Sequence, residues 1–221
     1  EIIKNATPER IEASFQRIWK CKQKARIIDE NLSLQNLSEN DFDFETTSKL
    51  NLKIAQNCIT KIKDNHNTVT VFDAKNREDL AKISLYKNTD NVFFKSLTHA
   101  LPSPEFSYKT GGESVLNELE KNLSKFDTLV ISLFVPKAKP LNNFDIEDSV
   151  LQFLGNVLTT KKCVLYVFGN PYALQVIPNL EHALGILEIY QDFPEFQEAA
   201  AQQLLENTKC EGTLPVVVNY L

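Results

Sequence analysis

The sequence predicts an α/β protein: a three-layer α/β/α sandwich with a mainly parallel sheet of about five or six strands, preceded by one amphipathic N-terminal helix. An alternation of strand-like and helix-like segments predicts this fold class. From residue 46 onward, short apolar runs of strand length alternate with segments that have the periodicity of helices. Strands that alternate with helices of about 10–15 residues imply crossover connections, and such connections produce parallel sheets with helices on both faces.

The composition excludes several classes of protein. The chain has 221 residues, 43% of them hydrophobic, and a formal net charge of -5, which is typical of a globular protein with one large domain or two small ones. The acidic excess and the lack of a basic block argue against a nucleic-acid or anionic-membrane surface. No apolar run approaches the ~18 residues of a membrane span. Because the sequence has no Met and starts at Glu1, we expect a piece excised or processed from a longer protein.

The first predicted element is an amphipathic helix over residues 8–26. Thr7 supplies a capping hydroxyl, and Pro8 suits the first helical position. Four apolar side chains then fall on one face of this helix, namely Ile11, Phe15, Ile18 and Trp19. We expect this face to pack on the rest of the chain or on a neighbouring copy. Residues 29–45 are polar and aperiodic, which is typical of a linker.

The remaining elements follow in alternation. A helix begins at residue 46, and its apolar positions run from Leu50 to Ile62. The run 127–134 (DTLVISLF) is continuous, apolar and rich in β-branched residues, as expected of a strand covered on both faces. The other predicted elements are an extended segment 68–72, strand 80–86, helix 89–100, strand 105–108, helix 113–124, helix 145–159, strand 162–168, a short helix after Pro171, strand 184–189, helix 194–206 and a last strand 214–218.

The carboxyl edge of the predicted sheet is the expected place for a ligand, because open parallel sheets bind ligands beyond the carboxyl ends of their strands. Two loops at that edge carry the candidate substrate-edge residues, which are Lys137, Asn142, Asn143, Gly169, Asn170 and Pro171. The Gly-Asn-Pro turn also has a purely structural explanation. Glycine permits a sharp exit from the strand, asparagine caps and proline starts a helix.

No cofactor or metal is expected. The sequence lacks the glycine-rich phosphate-binding motifs. Its cysteines are scattered without a CxxC pair, which argues against zinc, and Cys163 lies in an apolar run where a buried free thiol is expected. Acidic residues cluster at predicted helix starts, where the helix dipole favours them, so we predict no catalytic role for Asp145, Glu147, Asp148, Glu195 and Glu198.

Three stretches together resemble a known family. Residues 164–174 (VLYVFGNPYAL), 190–205 (YQDFPEFQEAAAQQLL) and 212–218 (GTLPVVV) resemble, in order and spacing, the C-terminal α/β-sandwich domain of glycoside hydrolase family 3. The Gly-Asn-Pro-Tyr-Ala-Leu segment is similar to the β-N-acetylglucosaminidase branch. Residues 11–24 resemble the last helix of that family's catalytic barrel, and residues 50–63 the helix that opens the second domain. Two segments depart from the family pattern, Leu204-Leu205-Glu206 and Gly212-Thr213-Leu214-Pro215.

The resemblance implies an organisation and a function. Residues 1–28 would be a remnant of the last barrel helix, 29–45 a linker and 46–221 the sandwich domain. This domain would be the non-catalytic part of a β-N-acetylhexosaminidase-like enzyme, packing on the barrel of the same polypeptide and walling the sugar site. The family's catalytic residues lie in the barrel, so no catalytic residue is carried over and the chain alone is expected to be inactive.

Several alternatives stay open. The chain could be a free-standing sugar-binding or interaction module with the same fold, or the same domain of a β-glucosidase or β-xylosidase. Carbohydrate is the expected ligand, and no nucleic acid or membrane span is expected. Self-association through Phe15, Ile18 and Trp19 is a further option. The compartment stays open, with export to a bacterial periplasm as one expectation for the parent protein.

Overall fold

The N-terminal helix belongs to a unit of its own. The structure, a computed structural model, describes residues 7–25, 42–64, 79–206 and 208–218, and the chain divides into two units, Glu1–Phe44 and Glu45–Leu221. In the first unit, α1 (Pro8–Lys24) begins at the predicted cap, where Thr7 Oγ1 accepts a hydrogen bond from the Arg10 N–H. The Phe15 and Trp19 rings stack on its apolar face, with centroids 5.8 Å apart. What covers this face stays a prediction, as does the assignment of residues 29–45, most of which lie outside the described residues.

A six-stranded sheet forms the centre of the second unit. Its strands are β1 (Thr60–Asp64), β2 (Leu80–Leu85), β3 (Glu105–Tyr108), β4 (Thr128–Phe134), β5 (Lys162–Phe168) and β6 (Gly185–Glu188). They lie in the order β1-β6-β5-β4-β2-β3. All neighbouring strands are parallel except β1, which pairs antiparallel with β6 and has a bulge between Lys61 and Lys63. The predicted fold class is confirmed.

Helices cover both faces of the sheet because the central strands are apolar on both sides. All seven residues of β4 are buried: Ile131 contributes to one core and Val130 to the other, as strand alternation requires. On the first face pack α4 (Gly112–Leu123) and α5 (Asp148–Thr160). On the second face pack α2 (Phe44–Cys58), α3 (Val92–Thr98) and α6 (Pro194–Glu206). Burial of Cys163 as a free thiol is confirmed.

Two predictions at one edge of the sheet are wrong, and they are connected. The helix predicted from residue 46 was expected to continue through Ile59 and Ile62, but α2 ends before both and β1 contains the second. Because β1 pairs with β6, it occupies the edge position that the predicted last strand, 214–218, could have taken. Residues 214–218 form no strand, and Pro215 has no N–H to donate into a ladder. The extended segment predicted at 68–72 lies outside the described residues, and the other elements are confirmed with boundaries within three residues.

Candidate functional site

A cleft of about 500 Å³ lies at the carboxyl edge of the sheet. The loops that follow β4, β5 and β6 form it, together with Val216. The lining residues are Val135, Pro136, Lys137, Ala138, Phe168, Gly169, Asn170, Pro171, Tyr172, Tyr190, Gln191, Asp192 and Val216. Four of the six candidate residues from the sequence, Lys137, Gly169, Asn170 and Pro171, are therefore brought together here.

The Gly169-Asn170-Pro171 turn holds two loops of the cleft together. Asn170 Oδ1 accepts a hydrogen bond from the Tyr172 N–H at 3.0 Å, and its Nδ2 donates to the Ala138 carbonyl at 2.8 Å. Gly169 has a φ of 156°, and a Cβ at this position would lie 2.5 Å from Val135 Cβ. The glycine is therefore required by the close approach of the loop after β4, and the asparagine fixes the loops relative to each other.

The charged side chains of the cleft lining are paired. Lys137 forms an ion pair with Asp145, and Asp192 Oδ2 lies 2.8 Å from Lys87 Nζ. The Lys87 ammonium also lies 4.7 Å from the centroid of the Phe134 ring, close enough for a cation–π interaction. Since each charge has an opposite partner, the cleft presents a balanced polar surface rather than a strong field of one sign.

Asn142 and Asn143 do not line the cleft. They lie in a turn over Leu141–Asp145 in which four consecutive residues have positive φ angles, from 51° to 62°. Left-handed backbone is unfavourable for most residues, and asparagine tolerates it better than others. These two asparagines therefore have a conformational explanation, while the buried Phe144 anchors the turn in the core.

A buried carboxyl that the sequence analysis missed lies two residues before Tyr190, which lines the cleft. Glu188, the last residue of β6, is 0% exposed, and its Oε1 accepts a hydrogen bond from the Tyr190 N–H at 2.9 Å. Burial raises the pKa of Glu188 from its ordinary 4.5 to about 8, although hydrogen bonds from the Tyr190 and Ile189 backbone oppose the shift. Its Oε2 has no hydrogen-bond partner among the described residues. The only sequence signal was a single acid within the apolar run 185–190 (GILEIY).

Two hydrogen bonds hold Tyr190, one from its backbone N–H to Glu188 and one from its hydroxyl to Thr60. Its hydroxyl lies 2.6 Å from Thr60 Oγ1, which in turn donates to the Cys58 carbonyl at 3.0 Å. With the Thr60 proton used in that bond, the Tyr190 hydroxyl is the donor to Thr60. The Tyr190 backbone has a φ of 69°, an unusual value for a bulky residue. The side chain thus lines the cleft in a conformation that these two hydrogen bonds support.

A second polar group at the same edge anchors α5. Tyr108 donates from its hydroxyl to Glu147 Oε2 at 2.6 Å and accepts from the Gly112 N–H at 3.0 Å. The Glu147 N–H donates to the Tyr86 hydroxyl at 2.8 Å, and burial raises the pKa of Tyr86 to about 12. Glu147 is thus fixed at the start of the helix by two tyrosines, which agrees with the structural interpretation of this acidic cluster.

The carboxyl content of the cleft bears on whether it could hydrolyse a glycoside. Glycosidases ordinarily use two carboxyl groups on either side of the scissile bond, and among its described lining residues the cleft has one carboxylate, Asp192. Within the described ranges, no three side chains of the metal-binding types lie together, and no helix is long and apolar enough to cross a bilayer. The geometry suits the binding of a polar ligand against Tyr172 and Tyr190.

Comparisons with known proteins were made by sequence and by structure. A scan against models of protein families gives no match, and a search of curated proteins gives none. The fold is similar to a glycoside hydrolase family 3 β-N-acetylglucosaminidase from Paenibacillus sp. strain FPU-7, with a TM-score of 0.66 and 13% identity over 100% of this chain and 42% of that one.

Two other solved structures are similar to nearly the same extent. A β-glucoside phosphorylase, BglX, matches 97% of this chain and 39% of its own, with a TM-score of 0.66 and 15% identity. A fungal multi-domain family 3 β-N-acetylglucosaminidase matches 98% of this chain and 24% of its own, with a TM-score of 0.64 and 17% identity. The chain spans less than half the length of each of these proteins. From these likenesses, the chain has the fold of a domain found within glycoside hydrolase family 3 enzymes.

Proposed function

We propose that this chain is the non-catalytic C-terminal domain of a glycoside hydrolase family 3 enzyme of the β-N-acetylhexosaminidase-like type. In that role the domain packs on a catalytic barrel of the same polypeptide and walls the sugar site with its carboxyl-edge cleft. The fold likeness to enzymes of this family supports the assignment. The resemblance of the Gly-Asn-Pro-Tyr-Ala-Leu segment supports the branch.

The observation that carries the non-catalytic role is the chemistry of the cleft. It combines two tyrosine rings, backbone amides and paired charges with a single carboxylate. Aromatic rings offer apolar faces with a polar tip, which suits the C–H face of a pyranose, and a few placed polar groups supply orientation. An acid and a base on opposite sides of a scissile bond are missing from the described lining, so the cleft is fitted to bind a sugar and not to cleave it.

The purified chain provides the first test. With an aryl β-N-acetylglucosaminide as substrate, we expect no turnover above that of buffer, and appreciable turnover would overturn the proposal. In a titration with N-acetylglucosamine followed by NMR, the resonances of Tyr172 and Asn170 should shift, weakly and without saturating in the millimolar range. Tyr172→Ala should reduce these shifts, whereas Tyr86→Phe, a change outside the cleft lining, should leave them unchanged.

A free-standing sugar-binding module is the second candidate. The cleft volume of about 500 Å³ favours it, because that is enough for a monosaccharide without help from another domain. Calorimetry separates the two candidates: millimolar or tighter binding of N-acetylglucosamine to the chain favours the module. If the parent protein is a β-glucosidase or a β-xylosidase, glucose or xylose should shift the resonances of the cleft residues more than N-acetylglucosamine does. An upstream Lys-His-x-Pro-Gly segment in the coding sequence would support the enzyme parent.

A further inference from the structure

We propose that Glu188 is a positioning residue for the carboxyl-edge cleft, and that its protonation state decides whether Tyr190 stays in place as part of the sugar-binding wall. This inference rests on the proposed function, because it concerns the same cleft. It adds a pH-dependent control of the cleft by a residue that is buried in β6.

The first step is the direct contact between the two residues. The Glu188 side chain turns back on the chain that follows it, so that Oε1 accepts the Tyr190 N–H at 2.9 Å. Tyr190 has a φ of 69° and lines the cleft. A bulky residue in the left-handed region is retained only where its surroundings hold it there. The hydrogen bond from Tyr190 to Glu188 is one of two that do so, the other being its hydroxyl contact with Thr60.

The second step is the lack of a positively charged partner for the Glu188 carboxyl among the described residues. The titratable groups that face Glu188 are the Cys58 thiol at the end of α2 and the Tyr190 phenol. At its level in the sheet, β1 presents Thr60 and β5 presents Val167, neither of which carries a charge. No cation pairs with Glu188 among the described residues, and Oε2 has no partner there. The site therefore suits a neutral carboxyl.

The third step is the consequence of ionisation. A carboxylate buried without a cation is unfavourable, so the ionised side chain is expected to rotate toward water. This rotation takes Oε1 away from the Tyr190 N–H. Without that bond, Tyr190 relaxes from its left-handed backbone conformation, and its ring leaves the wall of the cleft.

The wild type, two variants of Glu188 and one control variant test this sequence of events. The wild type should change state as the pH rises through about 8, where burial places the pKa of Glu188. Glu188→Gln keeps an oxygen for the Tyr190 N–H and cannot ionise, so it should hold Tyr190 in place at every pH. Glu188→Leu removes the acceptor and should release Tyr190 at every pH. Asp192→Asn is the matched control, because it removes a carboxylate from the cleft lining but leaves Glu188 intact.

The main readout is the NMR signal of Tyr190, assigned by comparison with Tyr190→Phe and recorded without sugar. In the wild type and in Asp192→Asn, the Tyr190 amide and ring signals should shift with a midpoint near pH 8. In Glu188→Gln they should not shift around that pH. Wild-type signals that stay constant through this range, or that titrate equally in Glu188→Gln, would overturn the inference, and this comparison needs no result from Glu188→Leu if that variant fails to fold.

A second readout separates this inference from the proposed function. Perturbation of the cleft by N-acetylglucosamine should weaken in the wild type above pH 8 to the level of Tyr190→Ala, and should stay unchanged in Glu188→Gln. If Tyr190 titrates with Glu188 but no sugar perturbs the cleft at any pH, the sugar-wall function is wrong and the positioning role stands. If sugar perturbs the cleft equally at every pH, the positioning role is wrong and the function stands.

Discussion

The two edge regions of the sheet, called here the β2–β3 side and the β1–β6 side, accommodate buried ionisable groups in different ways. On the β2–β3 side, Lys82 is 0% exposed, and its ammonium lies 2.7 Å from Glu105 Oε1 and donates to the Leu101 carbonyl at 3.0 Å. On the β1–β6 side, Glu188 is buried to the same extent, but one of its oxygens has no partner among the described residues. The first side retains a charge by pairing it, and the second retains an acid by keeping it neutral.

The stability of the fold therefore depends on different factors at the two sides. A paired buried charge makes stability depend on the presence of its partner. A neutral buried acid makes stability depend on pH. The β2–β3 side therefore has a purely structural polar group, whereas the β1–β6 side, which adjoins the cleft, has one that responds to conditions.

The largest expected effect comes from removing the buried cation. Lys82→Ala removes the buried cation that pairs with the Glu105 carboxylate and donates to the Leu101 carbonyl, and it opens a cavity, so the free energy of unfolding should fall by about 4 kcal/mol. Urea denaturation measures it. Lys82→Met, which has a similar volume and no charge, should lose clearly less than Lys82→Ala. Equal losses for both variants would mean that the ion pair matters more than the packing of the stem.

The next effect concerns the pH dependence that Glu188 introduces. Because the pKa of this carboxyl is raised from 4.5 to about 8 in the folded protein, the unfolded chain binds fewer protons between these values. The stabilising contribution is fully present below pH 4.5 and is lost as the pH rises to about 8, by at most about 1.4 kcal/mol per pH unit. Denaturation of the wild type and Glu188→Gln across this range should show a shallower fall for the variant. Parallel curves would remove the distinction between the two sides.

The backbone at Gly169 tests whether the cleft side depends on close packing as well as on the neutral acid. Gly169→Ala places a methyl group against Val135 Cβ and requires alanine to adopt a φ of 156°, so we expect a loss of about 2 kcal/mol. Thermal unfolding gives the value. Gly112→Ala is a useful comparison, because that residue has a φ of 68° but no atom within 4 Å of an added Cβ, and it isolates the backbone strain from the steric clash.

The smallest effect compares two buried glutamines of α6. Gln197 accepts from the Phe93 N–H at 3.3 Å and donates to the Asp192 carbonyl at 2.7 Å. Gln203 accepts from the Tyr166 hydroxyl at 2.9 Å, but its Nε2 has no acceptor among the described residues. Gln197→Leu should therefore destabilise the protein by about 1 kcal/mol more than Gln203→Leu does. Equal losses in denaturant titrations would show that the satisfied and unsatisfied amides contribute alike.

The sequence predicted the central part of this fold better than its β1 edge. The runs that became β4 and β5 are continuous and apolar, so their burial on both faces needs no long-range information. At the β1 edge, the pattern around Ile59 and Ile62 fits a helix or a short strand, and only pairing with β6 decides between them. Residues 216–218 (Val-Val-Val) have the composition of a strand, but β1 occupies the edge position beside β6.

The candidate site was predictable only in part. The turn at Gly169-Asn170-Pro171 follows a buried strand, so its place at the carboxyl edge could be inferred from topology. Asn142 and Asn143 occur at the same edge, but their left-handed backbone directs the loop differently, and this depends on the buried Phe144. Glu188 could not be identified, because an acid in a short strand is ordinarily exposed, and its burial depends on β1 and the chain around Tyr190.

The outer strands of the sheet also bear on how copies of this chain behave at high concentration. A free strand edge can pair with another chain, and proteins discourage this with short outer strands, bulges and lysines. Here β3 has four residues, while β1 has a bulge between Lys61 and Lys63. Lys61 lies 2.8 Å from Asp64, and Lys63 donates to the Glu181 carbonyl, so both lysines are fixed at the rim. The sheet is thereby protected from edge-to-edge aggregation at both ends.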